Sequence, residues 1–122
     1  MIRQFVSSHV RGKTAEQQAL RHLEQKGLNL QTKNFNCLFG EIDLVMLDND
    51  TLVFVEVRFR SASHFGSAAE SVSSLKRKKC RTAARCYLQK HPHHQNRYCR
   101  FDVVAIDKIN NGHHLEWIQN AF

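Results

Sequence analysis

Two stretches, Gly40-Glu41-Ile42-Asp43-Leu44-Val45-Met46-Leu47 and Leu52-Val53-Phe54-Val55-Glu56-Val57-Arg58-Phe59, flank Asp48-Asn49-Asp50-Thr51. Runs rich in β-branched and aromatic residues around an Asn/Asp cluster specify a β-hairpin. With Asn49 and Asp50 as the loop, the register follows. Leu47 faces Leu52, Val45 faces Phe54, Asp43 faces Glu56 and Glu41 faces Arg58. Directly opposed residues have Cβ atoms about 5 Å apart, and like charges there are unfavourable. Asp43 and Glu56 both share strand faces with apolar residues. Two facing, partly buried carboxylates require a shared proton or a cation.

The chain has 122 residues, enough for one compact core, and 42% of them are apolar. No apolar run approaches the length of a transmembrane helix, and the first residues, Met1 to Arg11, lack a secretory apolar segment. A cytoplasmic protein with no membrane partner is expected. Cys37, Cys80, Cys86 and Cys99 form no Cys-x-x-Cys pair, so reduced thiols are expected. The spacing gives no support to a zinc site made with the His91-Pro92-His93-His94 cluster, which reads as a solvated loop.

Residues 1–12 read as a basic, mobile lead-in, and 13–122 as a single domain. Thr14 with Gln17 suggests a capping box and Gly27 a helix stop. On that helix Ala19, Leu20 and Leu23 define an apolar stripe, with Glu16 at its centre. A strand is expected over 28–38, followed by the hairpin. The second hairpin strand is apolar on both faces at its start, so it belongs inside its sheet. A loop over 60–71 contains Phe65-Gly66. Ser71, Ser73 or Ser74 can then cap a second helix reaching about His91. Val72, Leu75, Ala83, Cys86 and Tyr87 form its apolar stripe, and Lys76 and Lys79 fall within that stripe. Arg77, Lys78, Arg81 and Arg85 fall on the opposite face. Tyr98 to Ile106 and the short Leu115-Glu116-Trp117-Ile118 complete the strands, the last at an edge. The order α-β-β-β-α-β-β predicts an α/β fold, a central mixed β-sheet flanked by helices.

Glu16, Asp43 and Glu56 are the candidate catalytic and metal-holding acids. Hard cations such as Mg2+ or Mn2+ take oxygen ligands, often a few carboxylates plus water and phosphate. An ion so placed can activate water and polarise a phosphodiester. The net charge of +7 favours a polyanionic partner, DNA above all. Arg77, Lys78, Arg81 and Arg85, with Lys76 and Lys79, are the candidate nucleic-acid contacts. Like charges at i, i+4 weaken an isolated helix, and a polyanion relieves them. Asp102 beside Arg100 reads as structural, paired with a nearby arginine.

Asp43 followed by Glu56-Val57-Arg58 resembles the PD-(D/E)xK nuclease motif, with Arg58 where lysine is usual. More closely, the chain resembles the YraN family. The matching stretches are Gly12-Lys13-Thr14-Ala15-Glu16, Gly40-Glu41-Ile42-Asp43-Leu44-Val45, Val53-Phe54-Val55-Glu56-Val57-Arg58-Phe59-Arg60, Phe65-Gly66, Arg100-Phe101-Asp102-Val103-Val104 and Trp117-Ile118-Gln119-Asn120-Ala121-Phe122. That resemblance implies a restriction-endonuclease-like fold, similar to archaeal Holliday-junction resolvases. It also implies that Glu16, Asp43 and Glu56 match metal-binding positions. By analogy with resolvases it suggests a homodimer. Arg58 keeps the charge of the motif lysine but cannot act as a general base. Arg58 either turns into the site or pairs with Glu41 across the hairpin. Lys76 or Lys79 can supply the missing ammonium. The functions to weigh are an endonuclease on branched or damaged DNA, a nucleic-acid-binding module with little cleavage, and a domain that binds an acidic protein. If it cleaves, weak activity absent on linear duplex is expected.

Overall fold

The computed structural model describes residues 8–60, 66–109 and 112–122. Helix α1 spans Ser8–Gln25. Strands β1 (Asn29–Cys37), β2 (Gly40–Asp48) and β3 (Thr51–Arg60) follow as a meander. Helix α2 (Ser74–Lys90) carries the chain to β4 (Cys99–Ile109), and β5 (Gly112–Ile118) ends the sheet. The strand order is β1-β2-β3-β4-β5. Only β3 and β4 are parallel, because the α2 crossover joins them. The sheet is therefore mixed, β3 is central and β5 is an edge, as the apolar pattern predicts.

The hairpin closes on Asp48–Thr51, with Leu47–Leu52 and Val45–Phe54 in the expected register. Asn49 makes the tight loop possible by adopting φ 54°. Strand alternation divides the core. Val53 and Val55 join Leu44, Met46, Val104 and Ile106 under Ala15, Ala19 and Leu23 of α1. Leu52 and Phe54 join Phe35, Val45 and Ile42 under Ala83, Ala84 and Tyr87 of α2. The Tyr87 hydroxyl is satisfied by Thr32 Oγ1 at 2.9 Å.

Three helix expectations change. α1 begins at Ser8 rather than near Thr14, and residues 1–7 lie outside the described residues. Its buried stripe is Ala15, Ala19 and Leu23; the small alanines let the helix approach the sheet, and Glu16 moves to the half-buried flank. Ser73 is the α2 cap, its Oγ accepting from the Lys76 N–H at 3.1 Å. Leu75 does not reach the core and is 62% exposed. The buried positions of α2 start only at Cys80, so the first turn overhangs the sheet. Phe65 lies outside the described residues.

Two buried ion-paired groups tie the sheet. Arg60 forks onto Asp107, Nε to Oδ1 at 2.6 Å and Nη2 to Oδ2 at 2.8 Å, joining β3 to β4. Asp102 accepts from Arg100 Nε, from Trp117 Nε1 at 2.9 Å and from the Asn120 N–H at 2.9 Å. The expected arginine partner is present, and the same carboxylate also anchors the C-terminal residues.

At Gly40 the start of β2 presses on α2. A Cβ there would lie 2.6 Å from the Lys79 carbonyl oxygen. Gly40→Ala is expected to cost about 1–3 kcal/mol through overpacking, read from the denaturation midpoint. An unchanged midpoint would mean that the two elements separate freely.

Candidate functional site

Strand β2 leaves its ladder at Asp43. Residues two apart on a strand share a face, yet Leu44 packs on the α1 side and Ile42 on the α2 side. The last β2–β3 pair is Leu44–Val55. Asp43 and Glu56 are therefore not a ladder pair, contrary to the simple hairpin extrapolation. Asp43 Oδ2 instead accepts the Val57 N–H at 2.8 Å, taking a backbone donor that β2 no longer pairs.

The two carboxyl groups still meet. Glu56 is only 4% exposed. Burial first, then the Asp43 charge and a hydrogen bond between the two carboxyls, push Glu56 up to about 8, against the opposing pull of Lys76. When both acids are ionised, Glu56 Oε1 is buried with no donor; a proton shared with Asp43, or a cation, fills that need. The acid pair expected from the hairpin thus forms through a kink rather than through regular pairing.

Lys76 is the residue that completes this cluster. Its Nζ lies 3.4 Å from Glu56 Oε2 and 3.8 Å from Glu41 Oε1. Burial works against the ammonium, but Glu56, Cys80, Asp43 and Glu41 outweigh it and raise its pKa. A lysine in the first turn of a helix opposes the macrodipole by about 0.3–1 kcal/mol, so the acids, not the helix, account for its placement. Beside it, burial pushes the Cys80 thiol up to about 12, leaving an inert wall. A cleft of about 310 Å³ opens next to the cluster, lined by Asn36, Cys37, Gly40, Glu41, Lys76 and Lys79. Leu38 and Phe39, in the turn between β1 and β2, are exposed.

The other candidates separate. Glu16 lines a different cleft, with Gln17, Leu20, Lys33 and Asn34. Among the described residues no three His, Cys, Asp or Glu side chains form a metal-holding group, so the three acids do not gather as the sequence suggests. Arg58 is not paired with Glu41. The ladder has ended, Lys76 takes Glu41, and Arg58 Nε is buried with no hydrogen-bond partner. Lys78, Arg81 and Arg85 are exposed as expected, whereas Lys79, placed in the apolar stripe by its spacing, is exposed as well because the start of α2 overhangs the sheet. Arg77 is half-buried: Nε donates to the Val72 carbonyl at 3.0 Å and Nη2 to the Ala69 carbonyl at 2.8 Å. The histidine cluster is no solvated loop either. His94 is buried and accepts from Arg97 Nε at 2.9 Å, and His91 stacks on Tyr87.

Two expected results test these placements. Arg77→Ala should lower stability by about 1–3 kcal/mol, because it strips the Val72 carbonyl of its side-chain donor and leaves the Ala69 carbonyl with the Val72 N–H alone; Lys78→Ala should leave it within about 0.5 kcal/mol. Equal midpoints for the two variants would refute the assignment. The Glu56 shift sets a pH dependence. Below the unfolded value of 4.5 the carboxyl is protonated in both states, and above about 8 it is ionised in both. Between them only the native state holds the proton, so metal-free stability falls as pH rises, by up to about 1.4 kcal/mol per unit. Denaturation in chelator at a series of pH values reads this slope, and Glu56→Gln should flatten it.

A five-stranded mixed sheet with a helix on each face, and an acid pair where β2 and β3 part, is a restriction-endonuclease-like architecture. Among the described residues no helix is long and apolar enough to cross a membrane. The chain belongs to the uncharacterised protein family UPF0102, which it matches over residues 15–106. That span includes Glu16, Asp43, Glu56, Arg58 and Lys76, and the membership agrees with the YraN resemblance read from the sequence. The chain is 51% identical over 116 residues to a UPF0102 protein of Pseudomonas fluorescens strain Pf0-1, covering 94% of this chain and 95% of the relative. It is 50% identical over 112 residues to one of Pseudomonas putida strain GB-1, covering 91% of each. A UPF0102 protein of Psychromonas ingrahamii is 46% identical over 116 residues, covering 95% of this chain and 92% of the relative.

Proposed function

We propose that this protein binds nucleic acid, DNA in particular, and that Asp43, Glu56 and Lys76 form a divalent-metal-dependent endonuclease site for branched or damaged forms. The observation that carries the reading is the buried Asp43–Glu56 pair with its donorless Glu56 Oε1. Such a pair fits Mg2+ or Mn2+, which one or two carboxylates commonly hold together with water and substrate phosphate. When bound, the ion would activate a water and polarise the phosphodiester. Asp43 would hold it in an orientation fixed by the Val57 N–H. Lys76 would place an ammonium at the developing phosphoryl charge, the part that Arg58 leaves unfilled. The open cleft beside Lys76 would admit a strand, and Lys78, Lys79, Arg81 and Arg85 would hold its phosphates.

The test is Mg2+- or Mn2+-dependent cleavage of junction, flap and linear substrates, with Asp43→Asn as the control for contamination. Cleavage of junction or flap by wild type only is the expected result. Cleavage that survives in Asp43→Asn would sink the mechanism. A second reading, a binding module with little cleavage, is favoured by the Lys76 ammonium, which without metal already sits 3.4 Å from Glu56 Oε2. Binding without cleavage in every metal condition would select it.

A further inference from the structure

Helix α2 packs over β1, β2 and the start of β3, and β5 pairs with β4 only from Val103 onward. The first residues of β4 are left beside an apolar cleft of about 240 Å³, lined by Phe54, Arg81, Ala84, Arg85, Leu88, Cys99 and Phe101. It shares no residue with the cleft at the acid pair. Its aromatic wall is a stack: Phe54 on Phe101 at 5.4 Å between ring centroids, and Phe101 on Phe122 at 5.1 Å. The Arg81 guanidinium lies over the Phe122 ring at 5.4 Å, which holds its charge at the rim. Arg81 and Arg85 are exposed and one helical turn apart. Neither is among the ion pairs formed by the described residues.

We infer that this cleft receives one unpaired nucleobase of a nucleic-acid strand, its face set against the ring edge of Phe101, whose own faces Phe54 and Phe122 cover, with its flanking phosphates on Arg81 and Arg85. The inference rests on the nucleic-acid reading above and narrows it to strands with unpaired bases. Size supports it: the cleft is smaller than the roughly 300–1,000 Å³ of pockets for drug-sized molecules, so it suits one planar ring. Chemistry supports it as well, because an apolar wall with a cationic rim matches a base joined to phosphate. An edge-to-face contact of an aromatic ring with a base, with arginine at the backbone, holds a single strand without reading its sequence. A base inside a duplex has no free face to offer.

The test is fluorescence anisotropy in chelator, which removes metal and cleavage from the measurement. Labelled oligothymidylate, a duplex of equal length and a strand of abasic residues are compared. The single strand should bind more tightly than the duplex, and the abasic strand about tenfold more weakly than the thymidylate. Phe101→Leu, checked for folding by circular dichroism, should weaken the single strand about three- to tenfold and leave the duplex unchanged. Arg81→Gln with Arg85→Gln, at exposed positions and checked for folding in the same way because Arg81 packs over Phe122, should lower the slope of log K against log salt by about 1.4. Duplex, abasic strand and thymidylate bound equally would overturn the inference while leaving a general nucleic-acid-binding protein. No binding to any of the three would overturn both readings.

Discussion

On the proposed endonuclease reading, Lys76→Met is expected to lower metal-dependent cleavage by about 100- to 1,000-fold, the usual effect of removing one preorganised donor to a developing oxyanion. Methionine keeps the length and the apolar stem, so packing on Cys80 and the α2 cap at Ser73 remain. What disappears is the ammonium 3.4 Å from Glu56 Oε2. Arg58→Lys in the same background should not restore the rate. Among the ion pairs of the described residues Lys76 takes both Glu41 and Glu56, and Arg58 takes neither. Nucleic-acid binding in chelator should change little, since Lys78, Lys79, Arg81 and Arg85 stay in place. A single-turnover assay on the best cleaved junction reads the effect. Wild-type rates in Lys76→Met would assign the lysine to charge balance alone, and rescue by Arg58→Lys would return the role to the motif position.

The largest loss of stability is expected from Asp102→Ala, about 3–5 kcal/mol, as when one partner of a buried charge pair is removed. Asp102 is 0% exposed. Its loss leaves Arg100 Nε, Trp117 Nε1 and the Asn120 N–H without their acceptor at once. Arg100 would keep only Asp48, 3.0 Å from Nη2. Because the donors come from β4, β5 and the turn beyond, the C-terminal residues should loosen before the rest. Denaturation gives the total, and hydrogen exchange at Trp117 and Asn120 shows where it acts. A loss near 1 kcal/mol would show that water replaces the carboxylate.

The particular residues show which features were legible in the chain. Val53, Val55 and Leu52, Phe54 alternate, and that period fixed both faces of β3 and hence its central place. Asp48-Asn49-Asp50-Thr51 fixed the hairpin register as far as Leu44–Val55. Ser71, Ser73 and Ser74, of which the structure uses Ser73, and Pro92 bound the second helix, and Asp102 announced its arginine. These are short-range rules: side-chain period, turn chemistry and capping act within a few residues. They were sufficient for the element order and for bringing Asp43 near Glu56.

The remainder depended on how rigid elements dock. The sequence placed Glu16 at the centre of its stripe, but Ala15 let α1 settle with that carboxylate on the flank. Periodicity put Leu75 inside, but the first turn of α2 overhangs the sheet and exposes it. Register alone assigned Glu41 to Arg58, while the kink at Asp43 ended the ladder and Lys76 arrived from the helix. The sequence by itself therefore determined the strands, the helices and the placing of Asp43 and Glu56 on neighbouring strands, because local pattern sets those. Only the tertiary structure decided which cation meets the pair and which aromatic rings meet Arg81, because a helix's docking angle is set by the whole core and no local pattern encodes it.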